Sequence, residues 1–353
     1  MGDVTGIEWT DATWNPVRGC SRVSEGCRNC YAEKVAQRFC GPGQPYEGLV
    51  HGRTKGWNGK VRLVDTALAW PLKKRKPRRI FVNSMSDLFH ESVPDDFIAA
   101  VFGIMAESPQ HTFQILTKRP ERMRAWFDRA GAAPRAWLHE AVKGVMGYDN
   151  PQRPAVNEDR WPLPNVWLGV SVEDQEAADV RVPLLLQVPA AVRWLSVEPL
   201  LAPVDLSGWL FGREAPCAPC PRDEDCECGW SGRHKLDGEA ALHWIVVGGE
   251  SGARARPMHP DWARSLRDQC AAAGVPFLFK QWGAWEIASV ENGHHGSVMP
   301  ETGERYTWLG LDGRTQSPSS LGLTEAYAMA RVSKKRSGRL LDGALHDGYP
   351  QHV

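Results

Sequence analysis

The chain has 353 residues with 42 basic and 42 acidic side chains, so its net charge is zero, and 42% of it is hydrophobic. That length allows one large barrel or two smaller domains around a substantial core, and the charge balance excludes a whole-molecule field that would draw it to nucleic acid. With no apolar run of 18 residues and a polar opening, MGDVTGIEWTD, neither a membrane span nor a secretory signal is expected, and the expected compartment is the cytoplasm.

Residues 5–16 (TGIEWTDATWNP) read as a strand-like entry that turns at Asn15 and Pro16. The loop GCSRVSEGCRNCYAEK follows, with six residues between Cys20 and Cys27 and two between Cys27 and Cys30. One short loop can bring three such thiolates to one inorganic centre. Three readings fit the spacing: an iron–sulfur cluster with one iron left open, a zinc ion with a further ligand from elsewhere, or clustered reduced thiols with no metal. The nine cysteines include seven in two tight groups, with Cys40 and Cys270 apart, which favours metal ligation in a reducing compartment over a disulfide framework. In YAEKVAQRF, Ala32, Val35, Ala36 and Phe39 recur at helical spacing, so Cys30 is expected to open a helix whose first amides face the centre. Residues 41–60, rich in glycine and holding Pro42 and Pro45, read as a long loop.

Lys73, Lys74, Arg75, Lys76, Arg78 and Arg79 form a basic block, and Lys334, Lys335, Arg336 and Arg339 a smaller one. Each is read either as a phosphate contact or as solvated surface. Strands and helices then alternate. RIFV is a strand followed by Asn83, Ser84, Ser86 and Asp87, and residues 94–107 form a helix. HTFQIL is a strand ending at Thr117, Lys118 and Arg119, with a helix over 121–127. Residues 130–164 read as excursions from the core. NVWLGVSVED ends at Ser171 and Glu173 before a helix over 175–187. VRWLSVEPLL carries Ser196 and Glu198 at its end, LHWIVVGGESG ends at Gly248, Gly249, Glu250 and Ser251 ahead of a helix over 262–273, and PFLFKQWG stops at Lys280, Gln281 and Trp282. This rhythm predicts a parallel sheet with crossover helices, and polar groups at the strand ends are expected around one cavity. Taken singly, each is equally a cap, a turn residue or a surface ion pair.

Between residues 207 and 240 the rhythm breaks. PCAPCPRDEDCECGW holds Cys217, Cys220, Cys226 and Cys228, four thiols that suit a structural zinc site or an auxiliary iron–sulfur cluster. Beyond residue 284 the chain turns polar and glycine-rich, with His294 beside His295. A strand over 307–311 and a helical stretch over 324–331 are expected there.

The WNP segment with GCxxxxxGCxxCYAE, here Trp14, Asn15, Pro16, Gly19, Cys20, Gly26, Cys27, Cys30, Tyr31, Ala32 and Glu33, resembles the radical S-adenosylmethionine superfamily. The closer likeness is to a phage- and bacteria-associated three-cysteine-motif branch of unassigned function, and the more distant one to spore photoproduct lyase. The resemblance implies an α/β fold, a partial (β/α)6 TIM-like barrel with a cysteine-rich insertion and a C-terminal extension. Its expected boundaries are 1–206 and 241–285 for the barrel, 207–240 for the insertion and 286–353 for the extension. It implies a [4Fe-4S] cluster on Cys20, Cys27 and Cys30, with S-adenosylmethionine on the fourth iron and an electron donor protein as partner. NSMSD stands where the superfamily has its glycine–glycine–glutamate element, so Asn83, Ser84 and Asp87 are the expected cofactor contacts, together with Glu173, Ser196 and Glu198. Lys118, Glu250 and Lys280 are the expected substrate contacts. The expected substrate is a base in DNA or RNA, or a nucleotide, brought to the site by a delivery protein or alone; a small metabolite and a peptide are the other candidates. A zinc-stabilised nucleic-acid interaction protein without radical chemistry is the competing reading.

Overall fold

The computed structural model describes residues 5–52, 56–131, 134–147, 161–210, 242–288, 306–316 and 326–351. The fold is α/β. Its main sheet takes β1 (Ala12–Trp14), β2 (Arg79–Val82), β3 (Thr112–Thr117), β4 (Val166–Ser171), β5 (Val192–Val197), β6 (Trp244–Gly248) and β7 (Phe277–Gln281) in chain order, the order of a partial (β/α) barrel. The expected fold class holds, with seven strands in the sheet. Every residue of β4, β5 and β6 is buried, as parallel strands covered on both faces require.

Two compact units divide the chain: Met1–Val170 with Leu184–Trp194 and His352–Val353, and Ser171–Pro183 with Leu195–Gln351. In the first, β1, β2, β3 and β4 pair in parallel, through Ala12 with Ile80, Ile80 with Phe113 and Ile115 with Leu168. The crossovers are α2 (Asp95–Ala106) and α3 (Pro120–Ala130), preceded in the chain by α1 (Tyr31–Arg38) after the cysteine loop. Trp126 stacks on Phe102 with ring centroids 4.6 Å apart, and Trp9 meets Trp194 edge-on at 5.1 Å. Gly169 on β4 makes room for that indole, since a Cβ there would stand 2.5 Å from the Trp194 ring.

Residues 130–164 are not wholly an excursion, because α4 (Arg135–Met146) lies within them. Leu138, Ala141 and Val142 form its buried face, and α4 is pressed so close to α2 that a Cβ on Gly103 would fall 2.5 Å from Val142 Cγ2. The apolar spacing was there to read, but glycine and proline on either side obscured it.

In the second unit β6 and β7 pair in parallel, and α6 (Pro260–Ala273) follows a short loop. His259 caps that helix, its Nδ1 accepting from the Asp261 amide at 3.2 Å, and Gly274 ends it in the left-handed conformation. Beyond α5 (Gln175–Leu186), which the sequence predicted, and the β7 strand, a separate antiparallel sheet forms from β8 (Trp285–Ile287), β9 (Tyr306–Gly310), β10 (Thr315–Gln316) and β11 (Ala326–Arg331), in the order β8-β11-β9-β10. The helical expectation for 324–331 is therefore wrong. AYAMAR has ordinary helix formers, yet it lies between β8 and β9 and pairs with both, and those ladders outweigh local preference. The end of the chain straps onto the β7 edge, where Phe279 N–H donates to His346 O at 2.9 Å and Gly348 N–H to Phe277 O at 2.9 Å.

Six tryptophans, Trp9, Trp14, Trp126, Trp194, Trp244 and Trp262, are among the largest fully buried side chains, so they fill cores and offer no surface for stacking bases. Cys217, Cys220, Cys226 and Cys228, and the pair His294 and His295, lie outside the described residues. No helix among the described residues is long and apolar enough to cross a membrane.

Candidate metal centre

The cysteine loop leaves β1 through a glycine that nothing else can replace. Gly19 has φ +89°, and a Cβ on it would lie 2.3 Å from Lys60 O. After Cys20 the chain passes through Ser24, whose backbone is extended, makes a single tight turn at Glu25–Cys27 and reaches Cys30, at the N-cap of α1. The turn is held by Cys27 N–H on Ser24 O at 2.9 Å and Cys30 N–H on Cys27 O at 3.3 Å. Arg22, between the first two cysteines, clasps buried Glu33 on α1 through Nε at 2.8 Å and Nη2 at 2.6 Å. Trp57 N–H adds to the same carboxylate at 3.4 Å. Gly56 lets that clasp close, because a Cβ there would be 2.7 Å from Glu33 Oε2.

Cys20, Cys27 and Cys30 are free, part-buried thiols, and Cys20 and Cys30 pack on a cluster that includes Ala32, Ala36, Tyr46, Trp57 and Met85. Burial pushes the Cys20 thiol up to about 12, Asp87 adds to that rise, Arg119 opposes it, and the other two cysteines contribute as neighbouring charges. Burial likewise raises Cys30, against the amides of Glu33 and Ala32. Cys27 also acts on Cys30 as a neighbouring charge. Among the described residues, no group of three or more His, Cys, Asp or Glu side chains stands as a ready-made metal site.

The strand exits beside this loop are bound to it. Asn15 Oδ1 accepts from Ser84 Oγ at 3.2 Å and Met85 N–H at 3.0 Å, Ser86 Oγ donates to Val17 O at 2.7 Å, and Tyr31 Oη donates to Ser84 O. Asn83, at φ 58°, turns its Oδ1 to the Val17 amide at 3.2 Å and leaves its Nδ2 buried without a partner. Asp87 accepts from Thr117 Oγ1 at 2.8 Å, Phe89 N–H at 2.9 Å, Lys118 N–H at 3.1 Å and Arg119 Nη1 at 3.2 Å. Lys118 therefore meets this group through its backbone.

Arg119 is the residue the sequence left unassigned. Its guanidinium also reaches Cys20 Sγ at 3.9 Å, Ser21 O at 3.2 Å, Ser21 Oγ at 2.7 Å and Glu91 Oε2 at 3.0 Å. His90 completes the arrangement. Its Nδ1 accepts from Ser92 N–H at 3.1 Å, so Nε2 carries the proton and donates to Ser21 Oγ at 3.0 Å. Burial lowers the His90 pKa and keeps that neutral form.

The polar strand ends of the second unit form a group of their own. Lys280 Nζ donates to Glu198 Oε2 at 2.9 Å and Ser196 Oγ to the same oxygen at 3.3 Å. Gly248 lies beneath, where a Cβ would stand 2.3 Å from Glu198 Oε1. Glu173 and Glu250 are drawn into arginine pairs instead. Arg181 Nη1 is 3.0 Å from Glu173 Oε2, and Arg256 grips Glu250 through Nε at 3.0 Å and Nη2 at 2.7 Å. Of the residues expected in this unit, Ser196, Glu198 and Lys280 are thus brought together.

The sequence profile of the DUF5131 family, described as a protein of unknown function, matches residues 4–350. The chain belongs to this family. No curated protein and no solved structure matches it. In this DUF5131 chain the donor set itself is informative: three thiols from one loop are soft ligands of the kind that hold iron–sulfur clusters or zinc. The unpartnered Asn83 Nδ2 is a buried donor at the neighbouring strand exit, suited to an acceptor group on a bound molecule. The donors are of the right chemical kind for such a centre, although among the described residues they are not gathered into a ready-made metal site.

Proposed function

We propose that this DUF5131 protein is a radical S-adenosylmethionine enzyme whose [4Fe-4S] cluster is held by Cys20, Cys27 and Cys30. The observation that carries the reading is that one loop ending at the start of α1 supplies all three thiols, with the buried Arg119 Nη1 3.9 Å from Cys20 Sγ. When bound, the cluster and S-adenosylmethionine supply one-electron cleavage to methionine and a 5′-deoxyadenosyl radical. The chain's own residues hold and shield. Glu33 and Arg22 fix the loop, and Ser21 is anchored by His90 and Arg119. Asn83 Nδ2 offers a donor to the cofactor's carboxylate.

A nucleobase or nucleotide is the proposed substrate class. Support comes from the cysteine loop and α1, where Tyr31 and Phe39 are exposed alongside Arg28 and Arg38, a mixture of aromatic faces and cations that suits a displaced base and its backbone. The basic block is less apt. It precedes β2, at the opposite end of that strand from Asn83 and Asp87, with Arg79 paired to Asp11 at 3.1 Å and Lys74 over the Trp70 ring at 5.2 Å.

Anaerobic purification with iron and sulfide reconstitution tests the reading. The intact chain is expected to hold iron and acid-labile sulfide and to release 5′-deoxyadenosine under a low-potential reductant, and Cys27→Ala to lose both. A colourless protein with stoichiometric zinc and no cleavage would reject it in favour of the zinc-stabilised alternative.

A further inference from the structure

Arg119 has a buried guanidinium, 9% exposed, and all three of its nitrogens are engaged. Its two acidic neighbours are unequal. Asp87 is itself buried, at 7% exposure, whereas Glu91 is 66% exposed and its charge is largely screened by solvent. The cation therefore faces Cys20 with one strong counter-charge, that of Asp87, shared through Nη1 at 3.2 Å.

We propose that Arg119 is a positioning residue that sets how readily a cluster on Cys20, Cys27 and Cys30 accepts an electron, with Asp87 as the opposing charge. The inference rests on the function proposed above. A cluster gains one negative charge on reduction. A fixed cation close to a sulfur ligand in a part-buried site stabilises that added charge, and a fixed carboxylate destabilises it. Arg119 also ties Ser21 to the β3 exit through two hydrogen bonds, so the same side chain holds the first ligand's loop. The two roles separate experimentally, because a loop tether has no sign and a charge does.

The test is a reductive titration of the reconstituted full-length protein, followed by the absorbance and paramagnetic resonance of the cluster with redox mediators and no S-adenosylmethionine. Wild-type protein is compared with Arg119→Gln, Arg119→Lys and Asp87→Asn. At a fixed potential near the wild-type midpoint, Arg119→Gln is expected to lower the reduced-to-oxidised ratio about tenfold, which corresponds to about 59 mV for a one-electron couple. Asp87→Asn is expected to raise the ratio, and Arg119→Lys, which keeps the charge, to stay close to wild type. Unchanged ratios, or shifts of the same sign in Arg119→Gln and Asp87→Asn, would overturn the proposal. Circular dichroism identifies a variant that fails to fold. If Arg119→Gln is lost that way, the sign of the Asp87→Asn shift decides: a rise supports the electrostatic role and anything else overturns it. Iron and sulfide content of the wild type is read first, and its absence would sink the proposed function itself, separately from any effect of Arg119.

Discussion

At Glu33 a carboxylate with 4% exposure is held by Arg22, and that pair closes the cysteine loop onto α1. Glu33→Gln keeps the shape but turns one acceptor into a donor facing a donor. Arg22 is 50% exposed and can rehydrate, so the loss is expected at about 1–3 kcal/mol, below that of a fully buried pair. Urea unfolding measures it, and an unchanged midpoint would refute the clasp. The sequence displayed Glu33 within CYAE, but Arg22 carried no signal, since its partner is set by the fold of the loop. Arg119 was hidden in a similar way. It stands in TKRP beside Lys118, and only the local path of the chain decides that the arginine turns to Cys20 while the lysine meets Asp87 through its amide. Asn15, read as a turn residue, also holds the NSMSD segment through its side chain.

Among the elements, the α2–α4 contact offers the sharpest test. Alanine is favoured over glycine in a helix interior by about 1 kcal/mol, so Gly103→Ala would stabilise the protein if α2 were free. Its Cβ would instead meet Val142 Cγ2 at 2.5 Å and Leu138 O at 2.9 Å, and the backbone oxygen cannot swing aside. Overpacking of this kind costs about 1–3 kcal/mol, and net destabilisation of about 1 kcal/mol is expected in thermal or urea unfolding. A more stable variant would show that the helices are further apart. Helix α1 and strands β2 to β7 were legible because their apolar spacing was strong and their ends were marked by polar or turn residues. Strand β11 was not, since six residues with alanine at alternate positions take their state from whichever strands flank them.

For the molecule as a whole, the C-terminal segment brings a pH dependence. Asp342 is held down to about 2, first by its hydrogen bonds from Arg264, against a rise from burial, with Arg267 adding to the lowering. Its ordinary value is 3.8, so the contribution is complete above about pH 4 and is lost as pH falls through 2. Asp342 is 36% exposed, which limits the contribution to about 1 kcal/mol or less. Wild type is expected to exceed Asp342→Asn in stability at pH 6 and to match it near pH 2, measured by denaturant unfolding across that range. A gap independent of pH would show that the pair with α6 contributes nothing through charge.

By itself the sequence determined the α/β rhythm, the strand ends and the three-thiol loop, because hydrophobic period and cysteine spacing are local properties that no partner can alter. Which polar strand ends remain open, and which are bound by arginines, was decided by tertiary structure alone. A charge finds its partner through distance in space, and Arg119 is 99 residues from Cys20 along the chain and 3.9 Å from its sulfur in the fold.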